Sequence, residues 1–167
     1  MDNILDVAQY MLDSYEKLYS ERMGETKLQK LLYFAQRESL AITNEPLFND
    51  RFEGWIHGPV SRNVRLAYNS DYPETMECKP NGISNAAKYI VNNILFEYGK
   101  MTASELVRLS HEEISWKNAR KGLRDDQPGD RPLLLDDIRQ DSHKIRPYDH
   151  VWDMYYDEFD TVEEATV

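Results

Sequence analysis

Hydrophobic residues recur every three or four positions through most of this chain, and that spacing predicts a mainly helical fold. The first run extends from Ile4 to Tyr19, and the second extends from Lys27 to about Ala41. Gly24 separates the two runs, and Thr26 with Gln29 matches a capping box at the start of the second. We therefore expect two long amphipathic helices at the beginning of a compact, single-domain helical bundle.

The middle of the chain combines shorter helical patterns with one stretch that lacks them. Residues 47–56 show no helical period, and residues 51–56 are predicted to be a short extended element. Gly58 permits unusual backbone angles, and Pro59 suits the first turn of a helix from Val60 to about Asn69. Further helices are predicted at residues 84–99 and 102–110, with Ser84, Thr102 and Glu105 as caps, and at residues 115–121 and 133–145. The predicted fold class is mainly α, with at most a short β element near Phe52 to Ile56.

The last twenty or so residues form a separate pattern. After Arg146 and Pro147, aromatic and aliphatic residues recur at helical spacing with acidic residues between them. This predicts a C-terminal amphipathic aromatic helix at residues 147–160, after a domain at residues 1–146, and a disordered acidic tail at residues 161–167. The aromatic stripe either docks on a partner protein or closes the domain's own core, and the pattern favours neither.

Composition excludes several classes of function. The 167 residues suit one domain and are 41% hydrophobic and 30% charged. No segment approaches the ~20 apolar residues of a membrane span. Cys78 is the single cysteine, which fits a reducing compartment, so the cytoplasm is the expected location. A net charge of −10 repels phosphate backbones, which disfavours direct nucleic-acid binding and makes a basic protein a suitable partner.

The sequence shows no motif for catalysis or metal binding. The four histidines, His57, His111, His143 and His150, lack the spacing of a zinc site. The chain has neither a phosphate-binding glycine loop nor a Gly-x-Ser-x-Gly turn. We therefore predict no catalytic residues, no metal and no cofactor, and we expect that the protein is not an enzyme.

Three blocks of sequence resemble one known family. The first runs from Lys27 to Gln36, the second is Phe52 to Val60 after Pro46-Leu47-Phe48, and the third is Leu109 to Glu112 with Trp116, Ala119 and Arg120. Together they resemble the Panacea domain, the SocA-like antitoxin family, over roughly Leu5 to Ile138. Gly54 is a departure, since the family pattern more usually has Ala there. The residues that carry the resemblance are Gln29, Leu31, Tyr33, Phe52, Trp55, Gly58, Pro59, Val60, Ser110, His111, Trp116 and Arg120.

The resemblance implies a function in protein binding. A member of this family is expected to be the antitoxin of a type II toxin–antitoxin pair, in a prophage or phage-defence setting, that neutralises a cognate toxin protein by direct binding. The expected toxin is basic or acts on RNA or translation. One alternative is an adaptor that delivers the toxin to an AAA+ protease, with residues 161–167 involved in delivery. Another is a hydrolase that reverses a toxin's modification through His57 or His111.

Candidate partner contacts come from two parts of the sequence. The C-terminal candidates are Trp152, Tyr155, Tyr156 and Phe159, because aromatic residues are enriched at binding hot spots. Lys27 and Lys30 form either a basic contact patch or ordinary solvated helix charge. His57, between Trp55 and Gly58, is either a polar group at a binding edge or a side chain that hydrogen-bonds a loop carbonyl and fixes the turn. Trp55 and Trp116 are expected in or near the core, where they frame a shared packing centre.

Overall fold

The computed structural model describes residues 1–68 and 82–144, and within them the fold is mainly helical, as predicted. The elements are α1 (Ile4–Tyr19), α2 (Glu25–Thr43), β1 (Phe52–Trp55), β2 (Gly58–Ser61), α3 (Arg62–Ala67), α4 (Asn85–Tyr98), α5 (Ala103–Ser110), α6 (Ile114–Ala119) and α7 (Leu135–Ser142). The predicted C-terminal aromatic helix and acidic tail lie outside the described residues, as does the predicted end of a helix at Asn69.

Two of the three predicted side-chain caps are confirmed. Ser84 accepts the Ala87 N–H at the start of α4, and Thr102 with Glu105 forms a complete capping box at the start of α5. The capping box predicted at Thr26 is wrong. Helix α2 begins two residues earlier than predicted, at Glu25, with Gly24 as an N-cap that makes no side-chain hydrogen bond. The Gln29 side chain cannot complete a capping box because its amide hydrogen-bonds to the backbone of Ser61.

The extended element predicted near residues 51–56 is confirmed as β1, but the prediction that Pro59 and Val60 begin a helix is wrong. Residues 58–61 form β2, which pairs antiparallel with β1 from Phe52 opposite Ser61 to Trp55 opposite Gly58. Only Ile56 and His57 connect the strands, and Gly58 takes a φ of +101° to begin the return strand. Helix α3 then begins at Arg62, with Ser61 as its side-chain cap. Pairing with β1 therefore outweighs the preference of proline for a helix's first turn.

Helix α2 lies at the centre of the fold. All thirteen residues from Leu28 to Leu40 are buried, whereas the other helices bury one stripe. A helix that is buried on every face must satisfy its polar side chains internally. Gln36 shows how this is done: its amide oxygen accepts from the backbone N–H groups of Leu47 and Phe48, and its amide nitrogen donates to the Phe48 carbonyl. The α2 side chains thereby fix the path of the loop that leads to the hairpin.

A buried ionic network joins α2 to the C-terminal helices of the described region. Arg37 Nη1 lies 2.6 Å from Glu113 Oε1, and the Tyr33 hydroxyl contacts Ser115 Oγ at 2.8 Å and Glu113 Oε2 at 3.2 Å. Asp141, which is fully buried, accepts the Ile114 and Ser115 N–H groups at 2.8 and 2.9 Å. Burial pushes the pKa of Asp141 upward, but the hydrogen bonds from Ser115 and its other donors hold that pKa below its usual value. The network fixes α6 and α7 against α2.

We expect Arg37→Met to destabilise the fold strongly. The variant leaves Glu113 buried without its ion-pair partner, which typically costs about 3–5 kcal/mol of unfolding free energy. Arg124→Met is the matched control, since the Arg124–Asp126 pair has both side chains 81% exposed, and its effect should stay within about 0.5 kcal/mol. Urea unfolding of both variants measures the difference. Equal midpoints would contradict a structural role for the buried pair.

Candidate functional site

A cleft of about 620 Å³ opens beside the hairpin, and several residues of the first two sequence blocks line it. We call it the tip cleft. Its walls come from the first turns of α2, from the hairpin, from α3 and from the loop at residues 128–130. The lining residues are Glu25, Thr26, Gln29, Lys30, Trp55, Ile56, His57, Val60, Arg65, Pro128, Gly129 and Asp130.

Two buried side chains of α2 bond to the backbone of β2. The Gln29 amide nitrogen donates to the Ser61 carbonyl at 3.1 Å, and its oxygen accepts the Ser61 N–H at 2.8 Å. Lys30 Nζ donates to the Pro59 carbonyl at 2.8 Å. Gln29 and Lys30 are 2% and 1% exposed. These contacts satisfy backbone groups that an edge strand would otherwise leave free.

The other side of the hairpin is held from α6 and from the loop that precedes α7. Trp116 Nε1 donates to the Trp55 carbonyl at 2.8 Å, and Arg120 Nη1 donates to the Gly54 carbonyl at 3.1 Å. Backbone pairing covers the free edge of β1, with Gly54 N–H bonded to the Arg131 carbonyl and Leu133 N–H bonded to the Phe52 carbonyl. Both edges of the hairpin are therefore occupied, and strand addition is not available as a binding mode.

Two glycines allow this close packing. A Cβ atom at Gly58 would clash with Ser110 Oγ and would lie 2.7 Å from Lys30 Cε, in addition to the strain of its positive φ. A Cβ atom at Gly54 would lie 2.9 Å from the Ala119 Cβ. Glycine at position 54 thus lets α6 approach β1 closely.

The hairpin presents three side chains at the tip cleft. His57 is exposed and makes no hydrogen bond within the described part of the chain, while Trp55 and Ile56 are partly exposed. Trp55, expected in or near the core, is only partly buried: it lines the tip cleft, and its indole N–H donates to Glu53 at 2.8 Å. Trp116 is near the core, as predicted, at 9% exposed. The difference arises because Trp116 lies beneath the hairpin and Trp55 points out of it.

The two candidate lysines do not form a solvated patch on α2. Lys30 is interior, and Lys27 is half-buried, with Nζ 2.7 Å from the Gly99 carbonyl at the end of α4 and 3.1 Å from the Tyr15 hydroxyl. A cation near a helix C-terminus stabilises that end of the helix. Lys27 therefore serves the junction between α1, α2 and α4, and only Lys30 reaches the tip cleft. Trp152, Tyr155, Tyr156 and Phe159 lie outside the described residues.

The third sequence block lies beneath the hairpin. His111 stacks on Trp116 with ring centroids 4.0 Å apart, and its Nε2 is buried without a hydrogen-bond partner in the described chain. Burial lowers the pKa of His111, the nearby Ile56 main chain opposes that shift, and Lys30, His57 and Arg120 lower the pKa further. Ser110 is buried against Gly58 and bonds the Val107 carbonyl. Leu31, Tyr33 and Phe52 lie in the core.

Sequence reasoning missed Glu25, Arg65 and the loop at residues 128–130 as parts of the site. Arg65 Nη1 contacts both Glu25 carboxylate oxygens at 3.0 Å, which closes one wall of the tip cleft. The loop at residues 128–130 reaches the tip cleft because Arg120 Nη2 bonds the Arg124 and Gln127 carbonyls that precede it. No motif marked these residues, since only the tertiary fold brings them to the hairpin.

Gly58→Ala should destabilise the protein more than a comparable glycine elsewhere. Gly122→Ala is the matched control, because Gly122 also has a positive φ, +85°, but has open space where its Cβ would lie. Backbone strain should cost about 1–2 kcal/mol in both variants, and overpacking should add about 1–3 kcal/mol at Gly58 alone. Thermal unfolding of the two variants checks this. Equal losses of stability in the two variants would show that the hairpin accommodates an added methyl group without an overpacking cost.

Lys30 should make stability depend on pH. Burial lowers its pKa to about 7, with Glu25 opposing the shift. Between that value and its ordinary pKa of 10.5, the unfolded chain holds a proton that the folded chain has released, so stability rises with pH. In Lys30→Met this contribution is absent, so the unfolding free energy of the natural protein relative to that of the variant should rise as pH increases from about 7 to 10.5. Chemical unfolding of both proteins at several pH values measures this change. A difference in unfolding free energy that stays constant with pH would contradict the lowered pKa of Lys30.

Neither membrane helices nor metal clusters are found in residues 1–68 and 82–144. No helix there has the length and apolar content to cross a membrane. No group of three or more His, Cys, Asp or Glu side chains there is arranged to hold a metal ion.

Comparison with known proteins agrees with the placement of these sequence blocks. The chain is 31% identical over 119 residues to Antitoxin SocA of Caulobacter vibrioides (strain NA1000 / CB15N). That alignment covers 63% of this chain and 63% of the relative, so it spans less than two thirds of that protein. No solved structure matches. The family model for the SocA-like antitoxin, Panacea domain, matches residues 28–117, which include the hairpin and most of α2 and α6. Since that match covers more than half of the chain, the protein belongs to the SocA-like antitoxin family defined by the Panacea domain.

Proposed function

We propose that this protein is the antitoxin of a type II toxin–antitoxin pair and neutralises its cognate toxin by direct binding, with the tip cleft as a contact surface. The observation that carries the proposal is that four polar side chains, from α2, from α6 and from the position after α6, share one target. Gln29, Lys30, Trp116 and Arg120 all bond to backbone atoms of the hairpin. Four buried or nearly buried side chains therefore restrain one short surface element.

Such a restrained hairpin suits protein recognition. An element that is already held in place loses little conformational freedom on binding, so more of the contact energy appears as affinity. Trp55 at the tip cleft, with the Arg62 and Arg65 guanidinium carbons 6.0 and 5.7 Å from its ring centroid, supplies residue types that are common at binding hot spots. The net charge of −10 would draw a basic toxin toward the protein at long range.

The first experiment expresses the product of the neighbouring gene, with and without this chain, scores bacterial growth and then isolates the complex. We expect growth arrest that this chain relieves, with a stoichiometric complex. Toxicity that persists, or relief without any physical association, would count against neutralisation by direct binding.

Trp55→Ala should weaken toxin binding by about 30-fold, the effect of removing a hot-spot side chain worth about 2 kcal/mol. The melting temperature should change little, because Trp55 is partly exposed and its carbonyl still accepts from Trp116. Tyr89→Ala is the matched control, since Tyr89 is an aromatic residue on α4, 43% exposed and away from the tip cleft. Titration calorimetry of both variants with the toxin gives the comparison.

The same assay separates the tip cleft from the C-terminal candidates. If Trp152→Ala with Tyr155→Ala abolishes binding while Trp55→Ala has no effect, the contact surface belongs to the C-terminal segment. Loss in both variants would instead indicate one interface that uses both parts of the chain.

A further inference from the structure

Basic groups gather around the hairpin tip of this otherwise acidic protein. Lys30, His57 and Arg120 all lie close enough to His111 to lower its pKa, and no acidic side chain is among the groups that shift it. The four basic residues come from α2, from the hairpin turn and from the positions that follow α5 and α6. The chain carries a net charge of −10, and two of its acidic residues, Glu25 and Asp130, line the tip cleft as well.

Two of the three acidic residues at or beside the tip cleft form ion pairs. Both oxygens of Glu25 contact Arg65, and both oxygens of Glu53 contact Arg62 at 2.9–3.0 Å. Asp130 is exposed, and its negative charge contributes to raising the pKa of Arg62.

Lys30 is left without a counter-ion. No carboxylate of the described chain lies within ion-pair distance of its Nζ, whose hydrogen bond goes to the Pro59 carbonyl. Its ammonium is also buried, and a buried charge without a partner is costly to the fold. An arriving carboxylate would offset that cost and would also interact with the exposed His57.

The rest of the tip cleft is suited to apolar contact. The side chains of Trp55, Ile56 and Val60 line it, together with Pro128. An occupant that matches both features carries a carboxylate next to an apolar side chain. A polyanion such as RNA would be repelled by the rest of the surface, whereas one carboxylate within a protein surface would not.

We propose that the tip cleft seats an acidic side chain of the toxin, together with a neighbouring apolar side chain, so that the carboxylate lies against Lys30 and His57. This proposal rests on the proposed function, because it names the chemistry by which the toxin would be recognised. It is compatible with a basic toxin, since long-range charge guides the approach of the two proteins and a single local contact fixes the docked position.

Proton uptake is a consequence that can be measured. The pKa of Lys30 is about 7 in the unbound protein, so a large fraction of its ammonium is deprotonated above neutral pH. A bound carboxylate favours the protonated form, so binding at pH 8 should take up close to one proton, and affinity should fall with rising pH. Glu25, Arg65, His57, His111, Arg120 and Asp130 are the other charged or titratable groups near this site.

The test uses the full-length chain and its purified toxin in titration calorimetry, at pH 8, in two buffers of different ionisation enthalpy. We expect proton uptake for the natural chain and at least a tenfold loss of affinity for His57→Glu, which sets a negative charge against the incoming carboxylate. His143→Glu is the matched control, since His143 is exposed at the end of α7 and does not line the tip cleft, and it should bind as the natural chain does. Single Asp→Asn and Glu→Gln changes over the toxin surface should identify one carboxylate whose loss weakens binding and removes the proton uptake.

The outcomes separate this inference from the proposed function. If the natural chain does not bind the toxin, both are overturned. If it binds without proton uptake and His57→Glu binds as well as His143→Glu, the acidic contact is overturned and direct neutralisation stands. Tighter binding by His57→Glu would show that the toxin presents a basic group to the tip cleft, which also overturns the acidic contact.

Discussion

Complete burial of α2 is the constraint on which the rest of this structure depends. A helix that contacts other elements on every side cannot send its polar side chains to water, so most of them bond within the fold. In α2, Glu38 Oε1 and Arg37 Nε are exceptions, buried without a hydrogen-bond partner in the described residues. In this protein the bonding partners lie in different elements. Gln29 and Lys30 bond to the hairpin, Gln36 bonds to the loop between α2 and the hairpin, and Arg37 bonds to the residue at the start of α6. The polar residues of one helix thereby determine where its neighbours lie.

This arrangement separates the residues that hold the site from those that face outward. Gln29, Lys30, Trp116 and Arg120 act on backbone atoms of the hairpin, and they are buried or nearly so. Trp55, Ile56 and His57 project from the element that those contacts restrain. A sequence pattern that combines both groups therefore marks a supported surface, and its buried polar members need not touch a partner at all.

The sequence predicted the helices well and the hairpin poorly, for physical reasons that differ. The span of α1 and the caps at Ser84 and Thr102 follow from local apolar spacing and side-chain hydrogen bonds, which the sequence displays directly. The strand at Pro59 and Val60 depends on pairing with β1 and on contacts from α2, so local propensity pointed to a helix instead. The sequence marked His57 and Lys30 as candidate contacts but indicated neither a cleft nor the burial of Lys30, and the positions of Glu25, Arg65 and residues 128–130 at the cleft required the tertiary structure.

The bonds that hold the hairpin are made to main-chain atoms, and this has a consequence for how the protein changes over evolutionary time. Carbonyl and N–H groups are present whatever side chain a residue carries, so the supports at Gly54, Trp55 and Pro59 do not depend on the identity of the two turn residues, Ile56 and His57. Substitutions at the turn can alter what the surface recognises while the scaffold beneath it keeps its stability. Binding preference and foldability are thus encoded at different positions, and one can diverge without the other.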